Sequence, residues 1–86
     1  MIVKFSGSSD TTLNNKSYTM HNLKSVRDVF IQIHKDITVE FTNADGSIKD
    51  GVLCLLDDSD WELTNCYESD IKNVHTITLI NTIHGG

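Results

Sequence analysis

With 86 residues, 38% of them hydrophobic and no proline, the chain has material for one core and not for two. Its formal net charge is −5 and its 7 basic residues are scattered singly, which argues against direct nucleic-acid binding because phosphate contacts need clustered Lys and Arg. No cationic stretch leads into an apolar one at the amino terminus, no apolar run approaches a membrane span, and Cys54 and Cys66 have neither metal-ligand spacing nor a disulfide framework; a soluble, cytoplasmic monomer with no membrane contact is expected.

Ile2, Val3 and Phe5 predict an early strand, ended by the turn cluster Ser6-Gly-Ser-Ser-Asp10. Lys16 to Met20 reads as its hairpin partner across a long connection. The period then changes. Leu23, Val26, Phe30, Ile33 and Ile37, with Val29 beside them, fall at spacings of three and four and predict a helix with one apolar face. Asn22 is the expected N-cap, since its side-chain oxygen can accept an unpaired amide of the first turn. Residues 37 to 41 read equally as a short extended segment or as the helix running on. Asn43-Ala-Asp-Gly46 and Asp50-Gly51 are turn signals.

Val52-Leu-Cys-Leu-Leu56 is apolar at every position, as suits an interior strand covered on both faces or one crossing the core near a helix. Ser59-Asp-Trp-Glu-Leu63 carries the only tryptophan, expected to be half buried, and Tyr67 and Ile71 are expected to fold back on the core. Asp57, Asp58, Asp60, Glu62, Glu68 and Asp70 crowd this region. A solvated face is the plain explanation, and a docking surface that steers a basic partner, centred on Asp57, Asp58 and Asp60, is the alternative. A calcium loop is disfavoured, because Asp58-Ser-Asp60-Trp-Glu62 lacks the bending glycine.

The last strand alternates. Ile77, Leu79 and Ile83 share the inward parity; Thr76, Thr78, Ile80 and Thr82 share the outward one, which leaves Ile80 as an exposed apolar contact next to the tail. Asn81 breaks the inward pattern, so a body of residues 1–81 and a flexible tail of residues 82–86 are expected. An extended chain over the tail reaches roughly 17 Å, enough to carry a carboxylate into a partner's slot. Gly85 and Gly86 have no Cβ and suit a narrow one, although a floppy terminus is the plain alternative. Two strands, a helix, a central strand, an irregular acidic segment and a final strand make an α+β domain with the helix on one face of a mixed sheet. No Ser, Cys or His has a nucleophile context, and the chain is not expected to be an enzyme.

Gly51-Val-Leu-Cys-Leu-Leu-Asp-Asp-Ser-Asp-Trp-Glu-Leu63, followed by Thr76-Ile-Thr-Leu-Ile-Asn-Thr-Ile-His-Gly-Gly86, resembles the ubiquitin-related modifier sulfur carriers of eukaryotes. The resemblance implies a β-grasp fold with the first and last strands parallel at the sheet centre. It implies that Gly86 is the modified residue, as acyl-adenylate, thiocarboxylate or isopeptide, with Gly85 the slim approach and Thr82, Ile83 and His84 guiding the tail. The implied partners are an activating enzyme with a rhodanese-like domain, which uses ATP, a transfer-RNA thiolase complex acting at the wobble uridine, and lysine-modified target proteins. No permanently bound cofactor is implied. A ubiquitin-like modifier alone, or a non-covalent β-grasp binding module, are the alternatives.

Overall fold

The computed structural model describes residues 1–83. One mixed sheet is built from β1 (Ile2–Ser6), β2 (Ser17–Thr19), β3 (Val52–Leu56), β4 (Ser59–Asp60) and β5 (Thr76–Asn81). Its order is β2-β1-β5-β3-β4. β1 and β5 run parallel at the centre, with Ile2 opposite Thr76 and Ser6 opposite Ile80, and antiparallel neighbours flank them. Parallel strands cannot be joined by a tight turn. Here the chain between them carries α2 (Val26–Asp36), which supplies the cover for one face of the sheet. This is the β-grasp arrangement expected from the resemblance.

The predicted apolar stripe forms the core. Val26, Val29, Phe30 and Ile33 of α2 are buried against Val3, Phe5, Cys54, Leu56, Ile77 and Leu79 of the strands. Leu23 and Ile37 lie just outside the helix and are partly buried. The helix stops at Asp36, which settles residues 37 to 41 as a non-helical connection ending in the buried Phe41.

Several expectations need correction. The N-cap is Ser25 rather than Asn22: the Ser25 hydroxyl accepts the Asp28 amide at 3.3 Å, and the Asp28 carboxylate returns to the Ser25 amide at 3.3 Å. Asn22 sits earlier, in a turn with φ of 63°. The long connection between β1 and β2 contains a short helix, α1 (Thr11–Asn14), capped by Asp10 and closed over the core by Leu13. β3 is covered on one face only; Cys54 and Leu56 are buried, whereas Leu53 and Leu55 are half-buried on the open face. Trp61 is buried at 7% exposure, because it meets Phe30 at 5.6 Å and Tyr67 at 4.8 Å between ring centroids.

Candidate functional site

The candidate site is the point where β5 leaves the sheet, next in the sequence to the residues on which the implied chemistry falls. Asn81, the last residue of β5, is opposite Val52. Immediately before Val52, Gly51 turns the chain into β3 with φ of 82°. Its carbonyl accepts both the Thr82 amide, at 2.8 Å, and the Thr82 hydroxyl, at 2.7 Å. Hydrogen bonding to the body thus continues through Thr82, one residue past the end of β5.

Ile83 does not keep the inward parity. The strand ends at Asn81 and the chain bends, so alternation no longer governs the side chain. Ile83 is 72% exposed and lies over Gly51, where a Cβ would stand 2.6 Å from its Cδ1. On the other side of β5, Gly7 follows β1 with φ of 75°, and a Cβ there would stand 2.4 Å from the Asn81 carbonyl oxygen. Both glycines were legible only as turn residues. Their second task, making room for the end of β5, needs the strand order. His84, Gly85 and Gly86 lie outside the described residues.

Ile80 is half-buried rather than exposed, because the register sets it beside Leu53 of β3 and Ser6 of β1. With Leu53 and Leu55 it makes a small apolar strip on the open face.

The three carboxylates of the expected docking surface are not equivalent. Asp57 accepts from the Thr76 amide at 2.9 Å and from the His75 amide at 3.0 Å, and these bonds hold its carboxyl below the usual range. Asp60 caps the 3-10 turn Trp61–Leu63 by accepting the Glu62 amide at 2.9 Å. Asp58 is exposed, in a left-handed conformation at φ of 71°. Glu68 pairs with Arg27 at 3.2 Å, and the Arg27 guanidinium lies 4.6 Å from the centre of the Tyr67 ring. The cluster is therefore partly structural.

Among the described residues no group of three or more His, Cys, Asp or Glu side chains could hold a metal ion, and no helix is long and apolar enough to cross a membrane. Cys54 is fully buried in β3, and burial pushes its thiol up to about 12, with Asp60 and Cys66 adding to the effect.

A sequence model of the Urm1 (Ubiquitin related modifier) family matches residues 1–86. The ubiquitin-related modifier 1 of Laccaria bicolor is 34% identical over 70 residues, which cover 81% of this chain and 52% of that protein. The chain thus spans about half the length of that fungal relative, whereas the counterpart from Encephalitozoon cuniculi is 27% identical over 96 residues and covered in full, as is this chain. The human ubiquitin-related modifier 1 is 32% identical over 65 residues, 71% of this chain and 63% of that protein. In structure the chain resembles the crystal structure of Sulfolobus solfataricus Urm1, with a TM-score of 0.64 at 22% identity over 94% of this chain and 99% of the other. A sheet with parallel central strands, one main helix across it, and a sequence match that extends through the final glycine pair place this chain in the Urm1 family of ubiquitin-related modifiers.

Proposed function

We propose that this protein is a cytoplasmic sulfur carrier whose Gly86 carboxylate is adenylated by an activating enzyme and then converted to a thiocarboxylate. The sulfur goes to the wobble uridine of transfer RNA through a separate thiolase complex. The observation that carries this is the family match over residues 1–86, with Gly85 and Gly86 at its end. The fold supports it by placing β5, the last strand before those residues in the sequence, at the centre of the sheet.

A terminal carboxylate with a pKa of about 3.5 is an anion at neutral pH and a poor electrophile. Attack of its oxygen on the α-phosphorus of ATP releases pyrophosphate and gives a mixed anhydride, in which AMP is the leaving group. The terminal sulfur of a persulfide on a rhodanese-like domain then displaces AMP. A second thiol, as thiolate, then attacks the rhodanese-domain sulfur of the resulting acyl disulfide; a disulfide forms between those two thiols, and the transferred sulfur leaves on Gly86 as an acyl thiolate. The protein is acted upon rather than catalytic. A lysine amine can take the same activated acyl group, so conjugation to target proteins belongs to the same chemistry. Gly85 provides a narrow approach, and Ile83 and His84 guide the chain into the enzyme's slot from Thr82, which is bonded to the Gly51 carbonyl on the body. The acidic balance fits a carrier that leaves the RNA to other proteins.

The test is an intact mass after incubation with ATP, a sulfur source and the cognate activating enzyme, followed by fragmentation. An oxygen-to-sulfur mass increase confined to Gly86 is expected. An unchanged mass with a demonstrably active enzyme would point to the non-covalent binding module. A lysine-linked adduct without sulfur would point to a modifier only.

A further inference from the structure

The end of β5 is held more closely than a tail needs to be. A carbonyl oxygen has two lone pairs, and Gly51 gives both to one residue: the Thr82 amide at 2.8 Å and the Thr82 hydroxyl at 2.7 Å. The next side chain, Ile83, lies across the bare α-carbon of Gly51, where a Cβ would meet its Cδ1 and Cγ1 at 2.6 Å. From the opposite flank, Gly7 presses its backbone on Asn81, leaving no room for a side chain. The turn carrying Gly7 is itself tied down, since Glu40 accepts the Ser8 hydroxyl at 2.8 Å and the Ser9 amide at 3.2 Å.

We propose that Gly51 is a positioning residue, whose carbonyl clamps Thr82 and whose bare α-carbon seats Ile83, so that the chain leaves the sheet in one direction. Its consequence for activation rests on the carrier function proposed above. The reasoning is one of populations. An enzyme that must thread the residues after Ile83 into a slot binds only those molecules whose chain points the right way, and its apparent affinity falls with that fraction. A side chain at position 51 pushes Ile83 away and frees the direction without touching the reactive carboxylate. Thr82 is therefore an anchor on the body. Ile83, seated on one side and 72% exposed, is the first side chain a partner can grip.

The experiment is a double-mutant cycle on the full chain with Gly51→Ala and Ile83→Ala, read by Thr82 amide exchange, by the NMR contact between the Ile83 methyls and the Gly51 α-protons, and by adenylation kinetics. Gly51→Ala is expected to lower Thr82 protection about tenfold and to raise the activating enzyme's KM by a similar factor with kcat little changed. On the Ile83→Ala background the same substitution is expected to have a clearly smaller effect on both quantities, because the colliding atoms are gone and only the backbone strain of a side chain at a φ of 82° remains. Gly46→Ala is the control. Gly46 also has a positive φ, 85°, but it faces Ile31 and Arg27 of α2, so it is expected to cost stability while leaving Thr82 exchange and KM unmoved. Unchanged Thr82 exchange in Gly51→Ala, an equal effect on both backgrounds, or a matching KM change in Gly46→Ala would each overturn the proposal. A wild-type chain that is never adenylated would remove the carrier function, and amide exchange, measured without enzyme, would still decide the clamp.

Discussion

The Asp57 carboxylate sits 2.9 Å from the backbone nitrogen of Thr76, so the residue that follows β3 closes on the residue that begins β5. The Asp57 amide returns the contact by donating to the Thr76 carbonyl at 2.9 Å. A carboxylate that accepts two amides is favoured as the anion, and its pKa lies below the ordinary value. The folded state therefore holds this proton less tightly than the unfolded chain does. Its contribution to stability is present above the ordinary aspartate pKa of about 3.9 and is lost as pH falls through the lower, folded-state value. Wild type is expected to be more stable than Asp57→Asn at neutral pH, and the gap should close on acidification. Urea midpoints at several pH values would show it; a gap constant down to about pH 2 would remove the linkage.

The two cysteines should differ in reactivity. Cys54 is fully buried and its thiol is pushed up to about 12, whereas Cys66 is half-buried in the 3-10 turn Cys66–Glu68. Iodoacetamide at mildly alkaline pH is expected to label Cys66 first and Cys54 only on unfolding, because the thiolate is the reactive form. Peptide mapping that found Cys54 labelled as fast in native protein would contradict the packing of β3.

The cap of α2 offers a separate test. Ser25 and Asp28 satisfy each other's amides, and replacing an N-cap serine by alanine typically costs about 1 kcal/mol. Ser25→Ala is expected to lose that much with an unchanged urea slope. A loss well under about 0.5 kcal/mol would mean that packing of Val26, Val29, Phe30 and Ile33 fixes the helix start by itself.

What could be read from the sequence follows the range of the physics involved. The stripe from Val26 to Ile33 and the alternation of Ile77 and Leu79 are local periodicities, and both stand in the core. The cap is not legible locally, because Asn22 and Ser25 are both good capping types and only the reciprocal bond with Asp28 distinguishes them. The four residues of α1 are too few to show a period in the sequence. At the candidate site, Gly51 and Thr82 are 31 positions apart, and nothing local in either announces the bond between them. The half-burial of Ile80 is hidden for the same reason, since its register neighbour Leu53 lies on another strand.

Removing Gly86 should separate chemistry from folding. The hydrogen bonds that end the described body involve Gly51, Asn81, Thr82 and Ile83. Deleting Gly86 is expected to abolish adenylation while leaving stability within about 0.5 kcal/mol, the usual scale for surface changes. Adenylation that survived the deletion would remove Gly86 as the modified residue, and a large stability loss would make the terminus structural.

The acidic region is best tested through Asp58. Neutralising Asp57 also weakens the join between β3 and β5, and neutralising Asp60 weakens the cap of the 3-10 turn, so either variant confounds charge with structure. Asp58 is exposed, and its left-handed φ of 71° is one that asparagine also accepts. Asp58→Asn thus removes a charge and little else. If the cluster steers a basic partner, the variant should associate with the activating enzyme about two- to threefold more slowly at low salt, with dissociation nearly unchanged. The difference should fade as the Debye length shrinks from about 30 Å at 0.01 M toward about 8 Å at physiological ionic strength. Stopped-flow association across that salt range decides it. Equal rates at low salt would make Asp58 part of a solvated face, leaving Asp57 and Asp60 to their structural bonds.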